Sequence, residues 1–407
     1  MMKSTVSLLT CLLIPAYVFA EPMSYTTDSG IEFIPQVKTF YEGNDNISKT
    51  EDAKGINSVN TWGIEPSLLT KIERNQYQAQ LVYKLKAGFS SDDQNDYDDH
   101  TVQLTNFFEF NHRHHLVVDY RFQALHELRG ENITEGKGDQ LKTPIEFFRN
   151  DLKTNYIFGA AGAQGRFEFG IGYSDKTYQN YRDETFGTSI EKTKYNDFRS
   201  PNAHFEFYLR ATPKTYWLIG TRQVLTEYQH QKPNSASKDN TAGFYYTGAQ
   251  WEVTGKTQGI ARFGYQVKDF ESDQRETFEG FSWDIGLEWQ PQEHTLLTVK
   301  TTQAAINPDQ DGDYDLRTRY ELGVMHNWNS YFATHIGGIY QQDDYAGTSN
   351  FNEPRVDDRY TVTAGIDYQI RRWVQLKADW QYQDKKSNNP GYGFNQNIWT
   401  LSAQFSL

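Results

Sequence analysis

The stretch YQAQLVYKLKAGF, residues Tyr77–Phe89, decides the fold because its side chains alternate in character. Odd positions carry Tyr, Ala, Leu and Phe, whereas even positions carry Gln, Lys and Gly, with Val82 as the exception. A period of two places the apolar side chains on one face of a β-strand and the polar ones on the other. Similar runs begin at Leu116 and Val374. Each run reaches ~10 residues or more, which exceeds a typical soluble strand of ~5–6 residues and matches a tilted strand that crosses a bilayer.

The composition supports the same interpretation. The 407 residues include 27 Tyr, 26 Phe and 9 Trp, yet only 37% of the chain is hydrophobic and the mean hydropathy is −0.76. Transmembrane helices need ~20 consecutive apolar residues, and disordered chains contain few aromatic residues, so both classes are excluded. A net charge of -13 argues against a nucleic-acid partner, which needs a basic surface. A chain that is polar on average but rich in aromatics is typical of a transmembrane β-barrel, whose two faces contact lipid and water.

Eighteen alternating segments can be counted along the chain, and the connections between them are alternately short and long. This rhythm is typical of bacterial outer-membrane barrels, with short periplasmic turns, long outer loops and both termini in the periplasm. We therefore predict one all-β domain over residues 21–407, a transmembrane antiparallel β-barrel in contact with outer-membrane lipid. Sixteen strands remain an alternative, because the first segment and those beginning at Tyr195 and Thr215 are weakly patterned. The last segment, Phe394–Leu407, alternates from Trp399 to Leu407.

Residues 1–20 are predicted to be a cleaved signal peptide. Lys3 precedes an apolar stretch, and the small residues Val18 and Ala20 stand where a cleavage site requires them. A retained membrane anchor and a lipoprotein attached through Cys11 are the alternatives. Because Cys11 is the only cysteine, we expect the mature chain to have no disulfide, no thiolate metal site and no cysteine nucleophile.

If the apolar register faces lipid, the other register faces the lumen. Inward positions then carry many Lys and Arg residues together with Asp and Glu, which predicts either a wetted polar channel or an interior filled with paired charges. Three aromatic residues are also expected to face inward, where they either contact sugar rings or only wedge loops in place: Phe107, Tyr208 and Trp373. The residues that we expect to contact a passing substrate are Arg121, Arg262, Arg317, Arg319, Trp373 and Lys377.

Signals for catalysis or metal binding are weak. No Ser, His and Asp residues stand in a recognisable nucleophile arrangement, so we expect neither an enzyme nor catalytic residues, and we expect no cofactor. The segment Asn307–Asp315 resembles part of an EF-hand loop, with Asp309 and Asp311 at ligand positions. Thr318 stands where that loop requires Glu, so a solvated acidic loop is favoured over a calcium site and the metal content stays open.

The stretch Asp98–Gly130 carries a series of motifs. It begins with Asp98–His100 and a strand, continues with Arg113–His114 at a turn and a second strand, and ends with His126–Gly130 at the start of a loop. This series resembles the "beta-barrel porin 2" family, outer-membrane barrels encoded with exopolysaccharide and capsule synthesis systems. The resemblance implies an outer-membrane conduit that exports an exopolysaccharide or capsular polysaccharide of a biofilm matrix. It also implies two protein partners, a periplasmic polysaccharide-export protein and an inner-membrane co-polymerase.

The sequence leaves other functions open. A diffusion or sugar-uptake porin of the outer membrane would share the fold, and a fold alone does not identify a function. Large barrels are often plugged by loops, and the two longest connections, Asn44–Ser58 and Glu127–Pro144, are both candidates for a loop inside the lumen. An outer-membrane enzyme and an adhesin are the remaining alternatives.

Overall fold

Eighteen long antiparallel strands form the wall of the protein. The computed structural model describes residues 24–51, 57–160, 162–184, 192–252, 255–310, 312–347 and 353–406. The predicted signal peptide lies outside these ranges. The strands are β1 (Ile31–Asn44), β2 (Val59–Arg74), β3 (Tyr77–Ser90), β4 (Tyr97–Asn111), β5 (His114–Glu127), β6 (Ile145–Phe158), β7 (Gly165–Tyr178), β8 (Phe198–Thr212), β9 (Thr215–Tyr228), β10 (Asn240–Glu252), β11 (Thr257–Phe270), β12 (Phe278–Gln292), β13 (Thr295–Ile306), β14 (Asp315–Asn327), β15 (Phe332–Tyr345), β16 (Val356–Arg371), β17 (Val374–Ser387) and β18 (Phe394–Ser406).

The sheet closes on itself, because β18 pairs with β1 as well as with β17. Leu401 on β18, for example, lies opposite Tyr41 on β1. Each of the remaining strands pairs with the strand before it and the strand after it in the chain. A closed sheet satisfies its backbone hydrogen bonds internally, which is the condition for crossing a bilayer. The predicted eighteen-stranded antiparallel barrel is confirmed, and the sixteen-stranded alternative is wrong.

The two faces of the wall differ as the alternation predicts. On the outer face, large apolar side chains are strongly exposed: Trp62 is 66%, Ile336 63% and Leu401 59% exposed. Exposed aromatic side chains also lie near both ends of the wall, such as Phe89 beside the long loops and Phe110 beside a short turn. This band of apolar residues between aromatic girdles is typical of a wall that faces lipid.

The two ends of the barrel differ in the length of their connections. Turns of two residues, such as His112–Arg113 and Pro213–Lys214, join strands at one end, and long loops with short 3-10 helices join them at the other. Both ends of the described chain, at residues 24 and 406, lie at the short-turn end. The two-residue strand Tyr25–Thr26 folds back and pairs with the start of β1. In the described ranges, no helix is long and apolar enough to cross a membrane.

The start of β8 differs from its predicted place. The segment was expected to begin at Tyr195, but residues Thr193–Asn196 form a 3-10 helix and the strand begins at Phe198. Asp197 lies between the two elements with its side chain fully buried. Its carboxylate accepts a hydrogen bond from the backbone N–H of Tyr178 at 2.8 Å. This contact fixes the turn before the strand, and the alternation of the sequence does not report it.

One long loop folds back into the outer mouth of the barrel. We name residues 128–144, which connect β5 and β6, the strap. Ile133 and Leu141 of the strap are buried in an apolar cluster with Phe147 and Tyr178 of β6 and β7. Burial of such side chains contributes about 1.5–3 kcal/mol each. The strap is therefore anchored on the inner wall, at the end of the barrel that carries the long loops.

Candidate functional site: the lumen and its outer mouth

The inward positions of β16 and β17 form a continuous series of polar groups, which we name the polar column. The intervening residues, such as Val362 and Ile366, are apolar and exposed on the outer face. From Asp357 to Gln369 the column is roughly 40 Å long at about 3.3 Å per residue, which is enough for a tilted strand to cross a hydrocarbon core of ~30 Å. Its facing pairs are Asp357–Ser387, Arg359–Lys385, Thr361–Gln383, Thr363–Gln381, Gly365–Asp379, Asp367–Lys377 and Gln369–Gln375.

Lys377, one of the predicted contact residues, belongs to an ionic group in the periplasmic half of this column. Its Nζ lies 2.9 Å from Asp367 Oδ1. Asp367 Oδ2 lies 3.3 Å from Nδ1 of His335, whose Nε2 is 3.1 Å from Asp379 Oδ1. At this level the column therefore presents positive and negative side chains to the lumen, and each of them is paired with a side chain of opposite charge.

Arg317 and Arg319 lie on the inward face of β14 but differ in their surroundings. Arg317 Nε lies 2.6 Å from Asp343 Oδ1 and its Nη2 lies 2.8 Å from Asp315 Oδ2. Both aspartate side chains are 1% exposed, so Arg317 neutralises two buried carboxylates. Arg319 contacts Glu321 at 3.2 Å, and its side chain is 37% exposed. The two side chains are similarly exposed, 31% for Arg317 and 37% for Arg319, but only Arg317 is paired with fully buried carboxylates.

Arg262 on β11 belongs to a buried network on the inner face of the wall. Its Nε lies 2.7 Å from Glu206 Oε1 on β8, although β9 and β10 lie between the two strands. The contact therefore runs along the inner face of the barrel, over these two strands. Glu206 also accepts hydrogen bonds from the hydroxyl groups of Tyr208 at 2.6 Å and Tyr246 at 2.8 Å. Tyr208 faces inward as predicted, and here it packs the wall.

Arg121 and Trp373 complete the predicted set. Arg121 lies on β5 opposite Gln103 and Asp151, and in the described part of the chain it has no ion-pair partner. Trp373 was predicted to face the lumen. It lies in the two-residue turn before β17, which begins at Val374, and it is 47% exposed. Trp373 is therefore at the periplasmic rim of the barrel, and its contact with a substrate stays a prediction.

Glu135, in the middle of the strap, reaches the outer end of the polar column. Its carboxylate contacts Lys385 Nζ, Arg355 Nη2 at 2.5 Å and Arg359 Nη2 at 3.4 Å. Asp357 completes the group, with Arg355 Nε at 3.0 Å and Lys385 Nζ at 2.8 Å. We name Arg355, Asp357, Arg359 and Lys385 the socket. The strap therefore crosses the mouth from the apolar cluster on β6 and β7 to the socket on β16 and β17.

The socket keeps Glu135 ionised. Burial on its own raises the pKa of a carboxyl group, but Lys385, Arg355 and Arg359 outweigh it and lower the pKa of Glu135 from 4.5 to about 2. Glu131, also in the strap, has a lowered pKa because Lys49 Nζ lies 2.6 Å away and outweighs burial. Charge therefore holds the strap in place at neutral pH, in addition to its apolar packing.

The donors of the socket are fixed by stacking. The guanidinium of Arg355 lies 3.8 Å from the ring centroid of Tyr392 and 4.4 Å from that of Tyr345. The Tyr392 hydroxyl donates to Gln310 Oε1 at 3.1 Å, and Gln310 Nε2 donates to the backbone carbonyl of Glu135 at 2.7 Å. Because a stacked guanidinium presents its N–H groups in one plane, the socket is shaped before any carboxylate enters it.

The second long connection enters the mouth as well. Ile47 and Ser48, between β1 and β2, are buried. Gly130 of the strap has a φ of +81°, and a Cβ there would lie 2.1 Å from the Ser48 carbonyl oxygen, so only glycine fits. Both connections were predicted from the sequence as candidates for a loop inside the lumen. Glu135 and its partners were not predicted, because contacts between distant strands of a barrel produce no periodic pattern in the sequence.

The acidic segment before β14 differs from its prediction. Asp313 Oδ1 lies 2.8 Å from Arg275 Nη1, and Asp315 is held by Arg317. The expectation of a solvated loop is therefore wrong for these two residues, whose carboxylates are buried against Arg side chains. Asp311 lies outside the described residues. Among those described, no group of three or more His, Cys, Asp or Glu residues is placed to bind a metal ion.

The closed wall, the lipid-facing outer surface and the polar lumen define a porin-like β-barrel of the bacterial outer membrane. The chain belongs to the family described as "Putative beta-barrel porin 2", whose model matches residues 32–406. This membership confirms the resemblance noted in Asp98–Gly130. A search among curated proteins finds no match.

Solved structures share the fold at low sequence identity. The FrpB iron transporter from Neisseria meningitidis (F5-1 variant) is 11% identical with a TM-score of 0.50, and the match covers 88% of this chain and 64% of that one. OccAB3 from Acinetobacter baumannii is 9% identical with a TM-score of 0.46, over 92% and 99% of the two chains. The siderophore receptor PirA from Acinetobacter baumannii is 7% identical with a TM-score of 0.45, over 94% and 81%. The chain thus spans less than two thirds of the iron transporter, and the likeness concerns the barrel alone.

Proposed function

We propose that the barrel exports an exopolysaccharide or capsular polysaccharide of a biofilm matrix, and that it works as a conduit without catalysis. The polar column carries this proposal. A chain of sugars loses hydration as it crosses a membrane and needs replacement hydrogen bonds at every level. From Asp357 to Gln369 the column offers charged, amide or hydroxyl groups at each successive pair.

The strap fits the same role. A conduit wide enough for a polymer would leak solutes when idle unless its mouth were narrowed. The strap crosses the outer mouth and has anchors on both sides, the apolar cluster and the socket. An idle conduit with its strap docked is consistent with secretion that occurs only while polymer is made.

The proposal includes the two protein partners that the family resemblance implies. The short-turn end faces the periplasm, as in other bacterial barrels. In this proposal a periplasmic polysaccharide-export protein delivers polymer to that end, and an inner-membrane co-polymerase feeds the export protein. The long loops, including the strap, then lie where the polymer leaves the cell.

A deletion strain tests the proposal. Loss of extracellular polysaccharide, its accumulation in the periplasm and unchanged growth on single sugars are the expected results. Complementation with Gln381→Leu/Gln383→Leu, which makes an apolar gap in the column, should reduce secretion several-fold at normal barrel levels. The matched control is Gln342→Leu on the outward register of β15, which should secrete normally.

The second candidate is a diffusion or sugar-uptake porin of the outer membrane. The observation that favours it is the strap itself, since an inward loop also restricts the pores of diffusion channels. If the deletion strain makes normal extracellular polysaccharide but grows poorly on one sugar, the uptake function is correct and the export proposal fails.

A further inference from the structure

The socket carries an excess of positive charge that Glu135 balances. Arg355, Arg359 and Lys385 supply three cations, and Asp357 is the only carboxylate among the socket residues. The side chains of Lys385 and Asp357 are fully buried, and that of Arg355 is 4% exposed. Removal of Glu135 would leave three cations against one anion, and two of those cations, Arg355 and Lys385, are almost completely buried. An arrangement of this kind needs an anion in the place of Glu135.

The vacated place is suited to a carboxylate in particular. Its two oxygens now meet Lys385 and Arg359 on one side and Arg355 on the other. In the described part of the chain, Arg359 Nε is buried and has no hydrogen-bond partner, so the socket also holds an unused donor. Guanidinium groups match the planar geometry of carboxylates, and the stacked Arg355 is already oriented for one.

The position of the socket connects it to the transport path. Arg359 and Lys385 form a facing pair of the polar column, close to its outer end. A polymer that moves along the column therefore meets the socket just before it leaves the barrel. A neutral sugar cannot replace the charge of Glu135, whereas a sugar that carries a carboxylate can.

We propose that the socket is a binding site for carboxylate-bearing units of the polymer, and that Glu135 occupies it until such a carboxylate displaces the strap. This inference rests on the proposed export function and adds a substrate class, an acidic polysaccharide. It also explains why a loop with a glutamate, and not an apolar loop, crosses the mouth. The displaced strap opens the outer mouth only when polymer is present.

Single-channel recording in planar bilayers tests the inference. Hexagalacturonate, a carboxylated oligosaccharide, should block Glu135→Ala at a concentration at least about tenfold lower than wild type, because the internal competitor is gone. Maltohexaose, which is neutral, should block both alike, and acetate should compete with hexagalacturonate in the variant. Glu131→Ala is the matched control: it removes a carboxylate from the same strap, paired with Lys49 and outside the socket.

Equal block of wild type and Glu135→Ala by hexagalacturonate overturns the inference. An equal gain in Glu131→Ala also overturns it, because it would mean that any loosening of the strap admits sugar. A measurement on the unaltered socket covers the case in which Glu135→Ala fails to fold. With spin labels at Asp139→Cys on the strap and Lys386→Cys on β17, hexagalacturonate should lengthen the label distance and maltohexaose should not.

The channel-block result tests the socket independently of the deletion strain, which tests the proposed export function. If the deletion strain secretes normally but block is selective for the carboxylated sugar, the export proposal fails and the socket assignment stands. If secretion is lost but both oligosaccharides block alike, export stands and the acidic substrate class is wrong.

Discussion

Acid should release the strap from the socket, and Glu135 sets the pH range in which this happens. In the docked strap the pKa of Glu135 is about 2, whereas its ordinary value is 4.5. A carboxylate whose pKa is lowered by docking stabilises the docked state above a pH of about 4.5 and loses that contribution as the pH falls toward 2. The full difference corresponds to about 3 kcal/mol, or a change of roughly 300-fold in the ratio of docked to released strap.

Distance measurement by pulsed electron paramagnetic resonance follows this release. The only cysteine in the sequence is Cys11, in the predicted signal peptide, so labels at Asp139→Cys and Lys386→Cys are the only ones expected in the mature chain. Both positions are exposed. The distance distribution should stay narrow from pH 7 to 5 and broaden to longer values below about pH 4.5. Adding Glu135→Gln should produce the broad distribution already at pH 7.

One control variant and two possible outcomes test whether the charge of Glu135 controls release of the strap. Asp183→Asn removes a carboxylate from the connection between β7 and β8, where Asp183 and Lys194 form an exposed pair, and it should leave the distances unchanged. A narrow distribution in Glu135→Gln at pH 7 would refute the role of the charge. Broadening of the wild type between pH 7 and 5 would show that another group controls the strap.

Three further predictions follow from the two faces of the wall and the strap. Leu322→Lys on the outer face of β14 should cost roughly 2–4 kcal/mol near the bilayer midplane, measured by urea unfolding in phospholipid vesicles. Arg319→Gln should fold like wild type and shift the reversal potential in a salt gradient away from anions. Arg317→Gln should lower the free energy of unfolding by roughly 1–3 kcal/mol, because Asp315 and Asp343 are left without their cation. If Leu322→Lys inserts normally and Arg319→Gln does not, the assigned strand register is wrong by one residue. Ile133→Ala should loosen the strap by about 2–4 kcal/mol, seen as faster proteolysis within residues 128–144 while the barrel keeps its heat-dependent migration in detergent gels.

The wall was predictable from the sequence because its signal is local. Leu322 and Arg319 are assigned to opposite faces by an alternation of apolar and polar residues that is visible in any short stretch of the sequence. Counting such alternating stretches gives the number of strands. The exact strand end at Trp373 was not predictable, because the alternation continues one residue beyond the strand into the turn. Glu135 and Lys385 are 250 residues apart, and neither belongs to a motif. Their pairing depends on the curvature of the whole barrel, which no local pattern encodes.

The strap and the socket that receives it are made at very different times. Glu135 lies between β5 and β6, whereas the socket lies at the start of β16 and the end of β17. A chain that is synthesised from its N-terminus has therefore completed the strap long before the strands that hold it exist. A chain that lacks β16, β17 and β18 has two open sheet edges and cannot cross a bilayer. The strap therefore meets its socket only after the barrel has closed, so a docked strap reports a completed wall.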